Sequence, residues 1–354
     1  MHFQVRLKLL SAPSPRKTLT VCAPPSAGWW LAFLCLLACF ISLPAMAENV
    51  PARIQPPDQS APANGPVPKR PGMFSRTITV DGMVRKYLLR IPAGMDFSKP
   101  APLVLALHGA GMNGAMMIGF SGLTAQADLS KIILLYPNGT GLADTLLTWN
   151  SGGIGPVREK PDDVLFLRTL LDEVSGILKV DQDRIFAVGL SNGGMMAYRL
   201  AAEMSDRIAA IAAVGGTLAV ADPHPGRPVP VIHFHGTADR IVPYAGPAKG
   251  NFLRTSFFSV PETIRVWVGL NGCRTGPAVR EITDRFQDGT SVRVSTWSGA
   301  PSGAEVVLVD VVGGGHTWPG RPPPTSFLGI STKEISANEM IQEFFAKHPM
   351  KRKP

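Results

Sequence analysis

The segment Gly189-Leu190-Ser191-Asn192-Gly193 constrains this chain more than any other. It follows the apolar run Ile185-Phe186-Ala187-Val188 and leads into a helix-like stretch from Met195 to Ala202. A serine bracketed by glycines, between a buried strand and a helix, sits on a very tight turn. Side chains two places before and two after it would collide, and both places are glycine here. The bare pattern G-x-S-x-G recurs in loops rich in Gly and Ser. The strand–turn–helix context is what gives it weight, because that context presents a serine hydroxyl as a nucleophile.

The length of 354 residues, 45% of them hydrophobic, suffices for one large core. The first 47 residues stand apart. Arg6, Lys8, Arg16 and Lys17 precede an apolar run from Trp29 to Leu43, and Ala45-Met46-Ala47 follows. This order reads as a secretory signal peptide over 1–47, cut after Ala47, and predicts an extracellular or periplasmic protein. An uncleaved anchor and a lipidated Cys39 are the alternatives. Three of the four cysteines lie in this leader, so only Cys273 would remain and no intrachain disulfide could form. The same count excludes a cysteine-based metal site. Loss of the four basic leader residues takes the formal charge from +9 to +5. The remaining bases are scattered, apart from Lys351-Arg352-Lys353 in a basic tail over 349–354. No basic stripe speaks for nucleic acid. No membrane contact is expected beyond the leader, and the oligomeric state is not legible.

Residues 48–72 are rich in Pro and Ala without periodicity and read as a linker. A domain over 73–348 follows. Thr77 to Val80 and Arg85 to Ile91 flank Asp81-Gly82 as an antiparallel hairpin. The runs 103–107, 132–136, 185–188 and 208–214 are continuously apolar, as expected for strands buried on both faces, and 229–234, with His233 in it, reads as a further buried strand. Residues 163–178 have helical period with Asp162 as N-cap, 261–270 and 336–346 read as helices, and 291–297 and 306–312 as strands. The fold class is therefore α/β, a doubly wound, mostly parallel sheet with an N-terminal antiparallel hairpin: the α/β-hydrolase arrangement. Ligand chemistry in such sheets gathers at the carboxyl ends of the strands.

A serine hydroxyl needs a base to take its proton. In this fold the chain order is serine, acid, histidine. Of seven histidines only His316 and His348 lie after Ser191 and after any plausible acid. His348 belongs to the tail, whereas His316 lies in the loop Gly313-Gly314-Gly315-His316-Thr317-Trp318-Pro319-Gly320 after a buried strand. The acids between them are Asp206, Asp222, Asp239, Asp284, Asp288, Asp310 and four glutamates. Asp239 lies just past the end of an apolar strand, in His235-Gly236-Thr237-Ala238-Asp239, where a carboxylate can orient an imidazole. Oxyanion donors are expected from the backbone N–H of Asn192 and of Ala110, with Gly109 the other choice in Leu107-His108-Gly109-Ala110-Gly111. His108 is expected to brace that loop.

Taken together, Leu107-His108-Gly109, Tyr136-Pro137-Asn138-Gly139, Asp162-Asp163-Val164, the stretch from Gly189 to Leu200, His235 to Asp239 with Val242-Pro243-Tyr244, and Gly313 to Gly320 resemble the polyhydroxybutyrate depolymerase-type esterases. That group also contains feruloyl and acetylxylan esterases. The resemblance implies Ser191, Asp239 and His316 as a triad. It further implies hydrolysis of carboxylic esters through an acyl-enzyme, without metal or organic cofactor, and Trp149 and Trp318 as substrate-facing aromatics. The chain ends soon after its last helix-like stretch, so small or oligomeric esters are expected as substrates rather than solid polymer. Specificity is expected in the loops 143–160 and 243–258. Two other classes share part of the pattern. A peptidase on the same fold would carry a propeller or long cap, and a non-catalytic binding protein would lack one of the three side chains. All three are present.

Overall fold

The computed structural model describes residues 57, 58, 63, 65–141, 144–152, 161–247, 256–283 and 285–350. The leader, the extreme C-terminal residues and parts of both specificity loops lie outside them. Among the described residues no helix is long and apolar enough to cross a membrane, and Cys273 is a free thiol.

The chain opens with the expected hairpin, β1 (Gly72–Val80) and β2 (Met83–Ile91). Asp81 and Gly82 have φ of 48° and 74°. Two successive positive φ values make the two-residue turn whose twist matches that of paired strands. β3 (Ala101–Leu107), β4 (Ile133–Pro137), β7 (Val180–Leu190), β8 (Ala210–Val214), β9 (Val231–Gly236) and β12 (Val306–Val312) form the parallel centre, while β5 (Thr140–Gly141) and β6 (Leu147–Thr148) pair separately. With β10 (Thr275–Ile282) and β11 (Ser291–Ser298) the main sheet has ten strands in the order β1-β2-β4-β3-β7-β8-β9-β12-β11-β10. Antiparallel pairing occurs at both ends, β1-β2-β4 and β12-β11-β10. The second antiparallel end was not expected from sequence. β10 is exposed along nearly its whole length and carries a proline, so it has neither a continuous apolar run nor a clean alternation.

Because successive side chains on a strand point to opposite faces, each central strand supplies two cores. Leu103, Leu105 and Leu107 of β3 join the core beneath α3 (Asp163–Ile177), α4 (Asn192–Glu203) and α5 (Val260–Asn271). Val104 and Ala106 face the other core, under α1 (Gly114–Ser121), α2 (Leu123–Ser130) and α6 (Ala337–Lys347). There Phe345 of α6 stacks on Phe186 of β7 at 4.4 Å between ring centroids. Sequence reading missed α1 and α2. The first is apolar almost all round and interrupted by glycine, and Gly122, at φ 65°, closes one helix and opens the next.

The segment read as a linker runs along the sheet in its described part. Asp58 N–H donates to Met73 O at 2.7 Å, Thr77 N–H to Ala63 O at 3.1 Å, and Val67 is buried. Its apolar content is too sparse to announce this packing.

Two adjacent aspartates begin α3 in different ways. The Asp162 side chain accepts from Leu165 N–H as the N-cap. Asp163 is fully buried, 2.7 Å from Arg85 Nη2 and 2.7 Å from the Asn150 N–H, which its other oxygen accepts. Arg85 lies over the Phe166 ring at 3.9 Å and also donates to Asn138 O at 3.1 Å. Asp162→Ala should lower the unfolding free energy by about 1 kcal/mol, the worth of a cap. Asp163→Ala should cost roughly 3–5 kcal/mol, because it strands a buried guanidinium. Guanidinium titration of both variants checks this, and equal costs would contradict the placement of the pair.

Candidate active site

Ser191 ends β7, the strand between β3 and β8 near the middle of the sheet. Its backbone is held at φ 54°, ψ −120°, a region that a non-glycine residue enters only under constraint from its surroundings. Ser191 N–H donates to Val214 O at 2.8 Å, and its carbonyl accepts from Met195 N–H at 3.0 Å. The flanking glycines are needed for backbone clearance. A Cβ at Gly189 would lie 2.1 Å from Gly193 O, and one at Gly193 would lie 2.3 Å from Leu107 O. The expected clash is thus real, but each missing side chain would strike main chain rather than another side chain.

Neighbouring strand ends supply the other two residues. Asp239 follows β9, and both its oxygens are engaged. Oδ1 accepts from the N–H groups of Ile241 and Val242 at 2.8 and 2.9 Å, and Oδ2 accepts from His316 Nδ1 at 2.7 Å. Burial pushes the Asp239 carboxyl up. The His316 ring, its hydrogen bond, His235 and the Val242 N–H outweigh that and hold it below the ordinary carboxylate range. His316 lies in the loop after β12, with its N–H on Leu328 O at 2.7 Å. With Nδ1–H committed to Asp239, Nε2 is the ring's free basic atom. The two residues after β8, Gly215 and Gly216, separate Ser191 from His316. A Cβ on Gly216 would meet Ser191 O at 2.1 Å, and one on Gly215 would meet the His316 ring at 3.1 Å. Strand order β7-β8-β9-β12 therefore gathers Ser191, Asp239 and His316 at the carboxyl ends of neighbouring central strands.

Among the described residues the other acids have partners elsewhere. Asp206 pairs with Arg168, Asp222 with His224, Glu203 with Arg199, Glu281 with Arg293 and Glu305 with His348. Asp288 accepts from Thr290 and Lys333, Asp310 accepts from Tyr244, and Glu262 completes the α5 capping box. Asp284 lies outside the described residues.

Ala110, just past β3, is exposed, and Asn192 opens α4, where the first N–H groups have no partner within the helix. The loop carrying Ala110 is braced from below. His108 Nε2 accepts from Gly139 N–H at 3.0 Å, which leaves Nδ1–H to donate to Gly109 O at 2.8 Å. Trp149 Nε1–H donates to His108 O at 3.0 Å, with its ring 4.9 Å from that of His108. The Asn192 amide clamps the same segment. Its Oδ1 accepts from Thr148 Oγ1 and Trp149 N, and its Nδ2 donates to Ser151 Oγ at 2.8 Å. The two tryptophans expected to face substrate are both 1% exposed. Trp149 supports the His108 loop, and Trp318 donates to Asn338 Oδ1 of α6 at 2.9 Å. Sequence reading also passed over the Asn192 side chain, Arg85 and Gly215-Gly216. A glycine pair directly after a buried strand was the one available signal among them.

Burial pushes the His108 imidazole down to about 4 and holds His233 and His235 below the ordinary value of 6.5. In the unfolded chain the same rings protonate near 6.5, so below that pH the unfolded state binds more protons. The stability these rings contribute is full above about pH 6.5 and is lost as the pH falls toward the folded values. Each ring contributes a slope of up to ~1.4 kcal/mol per pH unit in that window. Denaturation midpoints should drop steadily between about pH 7 and 5, and constant midpoints would show that these rings are not buried neutral.

Residues 166–260 match a family described as Phospholipase/Carboxylesterase. Over 332 residues the chain is 33% identical to "Putative esterase NocK" of Nocardia uniformis subsp. tsuyamanensis, covering 87% of this chain and 93% of that one. It is 29% identical over 257 residues to feruloyl esterase C of Emericella nidulans, covering 71% and 87%. With feruloyl esterase B of Piromyces equi it shares 29% identity over 243 residues, 66% of this chain and 42% of the relative. Likeness at that identity along almost the whole of the first relative, on this sheet with a serine at its central elbow, places the chain in the esterase family of the α/β-hydrolases.

Proposed function

We propose that the protein is a secreted serine carboxylesterase in which Ser191 is the nucleophile, His316 the general base and Asp239 the residue that orients it. The observation that carries this reading is the Asp239–His316 pair, packed through Gly215-Gly216 against the strained Ser191 turn. His316 Nε2 takes the Ser191 proton as Oγ attacks the ester carbonyl carbon. The N–H groups of Ala110 and Asn192 receive the developing oxyanion, a donor pair of which each member is worth roughly 3 kcal/mol in such sites. The tetrahedral intermediate collapses, and the alcohol leaves with the proton from His316. Water, deprotonated by the same nitrogen, then releases the acid and frees Ser191. Asp239 stays ionised throughout and stabilises the imidazolium.

The substrate class is a small carboxylic ester. The names of the feruloyl esterase relatives and of an acetylxylan esterase relative favour feruloyl or acetyl esters over hydroxybutyrate oligomers. Phe327, 62% exposed, and Ile330 are exposed apolar side chains in the segment whose Leu328 carbonyl accepts the His316 N–H. Export rests on the leader's charges, its apolar run and Ala45-Met46-Ala47.

Ser191→Ala and His316→Ala should each lower kcat by at least about a thousandfold, with the double variant no worse than either, because such residues act as a unit. Asp239→Asn should leave more activity than either. A panel of methyl ferulate, p-nitrophenyl acetate and butyrate, and hydroxybutyrate dimers measures both claims. Undiminished turnover in Ser191→Ala would refute the nucleophile, and preference for the dimers would refute the substrate class. A fluorophosphonate label absent from Ser191→Ala gives an independent check.

A further inference from the structure

We propose that Tyr198, His233 and His235 form a one-way hydrogen-bond chain that fixes the proton of His235 on Nε2 and so positions the Asp239 turn against His316. This inference rests on the roles proposed above for Ser191, His316 and Asp239. The three side chains come together for simple reasons. His233 and His235 stand two apart on β9 and so share a face of the sheet. Tyr198 reaches them from α4, the helix that begins at Ser191. All three are within 1% of complete burial.

The chain has one direction. Tyr198 OH lies 2.9 Å from His233 Nδ1, His233 Nε2 lies 3.1 Å from His235 Nδ1, and His235 Nε2 lies 2.8 Å from Val242 O. A carbonyl only accepts, so His235 Nε2 carries hydrogen. Burial keeps both rings neutral, with one proton each. His235 Nδ1 is then an acceptor, His233 donates to it from Nε2, and His233 Nδ1 accepts from Tyr198. Every atom of the chain is satisfied in this arrangement and in no other.

Its far end meets the proposed active site. His235 Nε2 is 3.5 Å from Asp239 Oδ2, the oxygen that His316 uses. The Val242 residue whose carbonyl it holds also donates its N–H to Asp239 Oδ1. His235 thus pins the turn from which the carboxylate takes its orientation. With the proton on Nδ1 instead, a nitrogen lone pair would face both Val242 O and the carboxylate, and the turn would be pushed open. Other polar groups around His235 are already engaged. Tyr244, edge-on at 5.8 Å, donates to Asp310, which pairs with His235 across the strands. A buried polar chain costs desolvation that an apolar packing would avoid, so a purely structural role would favour apolar replacements here.

The test uses the full chain with 15N-labelled histidine. In the wild type, NMR should show His233 and His235 as Nε2–H tautomers. Tyr198→Phe keeps the ring but leaves His233 Nδ1 without its donor. It should shift the His233 Nδ1 resonance, leave His235 in the Nε2–H form that Val242 O sets, and lower kcat by about tenfold with KM nearly unchanged, the effect of one buried hydrogen bond. His235→Gln, whose amide nitrogen reaches the position of Nε2, should retain more kcat than His235→Leu. An Nδ1–H tautomer of His235 in the wild type would overturn the proposal, as would a folded Tyr198→Phe with unchanged kcat. If Ser191→Ala kept full activity, the catalytic reading would fail instead, and the tautomers would still decide whether the chain exists. If the variants failed to fold, the wild-type spectrum would decide alone.

Discussion

The structure depends on how closely backbone approaches backbone at the carboxyl ends of β3, β7 and β8. The turn at Ser191 puts its main chain within a Cβ's reach of Gly189 and Gly216, and Gly193 in turn touches the end of β3. Such contacts fix where three neighbouring strands must end relative to one another. They also hold Ser191 in a conformation it would not adopt alone. Because the ends of β8 and β9 are set by the same register, Gly215 makes room for the His316 ring, and Asp239 meets Nδ1. The site is thus a by-product of strand packing more than of any loop's own preference.

A second tier of polar contacts supports the other side of the serine. Arg85, Asp163, Asn138, Gly139, His108 and Trp149 form a continuous set of hydrogen bonds from β2 to the loop that carries Ala110. Each member is buried or partly so, and each would be costly to leave unpaired. Asn192 closes the set from the helix side by clamping residues 148–151. Motifs that look unrelated along the chain, at 107–109, 136–139 and 162–164, are therefore parts of one framework. Its net contribution to stability is modest where desolvation offsets pairing. Its effect on geometry is large, because a backbone N–H can serve as an oxyanion donor only if its loop does not move.

Legibility followed the strength of local signals. The hairpin was readable because Asp81-Gly82 permits two positive φ values between alternating runs. The central strands were readable because both faces are buried, which leaves continuous apolar stretches in β3 and β8 and in the second half of β7. By contrast α1 carries little amphipathic contrast, and β10 is an exposed edge strand paired with β11 alone in the sheet. The segment before β1 looked like a linker because its contacts are mostly main-chain bonds to a strand, which leave no mark on composition. Trp149 and Trp318 show the limit of resemblance, since their size could equally fill a core or face a ligand, and both indoles fill the interior.

The sequence by itself determined the elbow, the alternation of strands and helices, and the short list from which Ser191, Asp239 and His316 were drawn. Those features depend on local sterics and on chain order. Tertiary structure decided which buried polar groups share a neighbourhood. It set His233 in line with Tyr198, Asp163 against Arg85, and Asp206, Asp310 and Glu305 beside the distant partners Arg168, Tyr244 and His348. The physical reason is that a hydrogen bond acts over about 3 Å, while Tyr198 and His233 lie 35 residues apart in the chain and Arg85 and Asp163 lie 78 apart. Only the order and register of the strands bring them within that range.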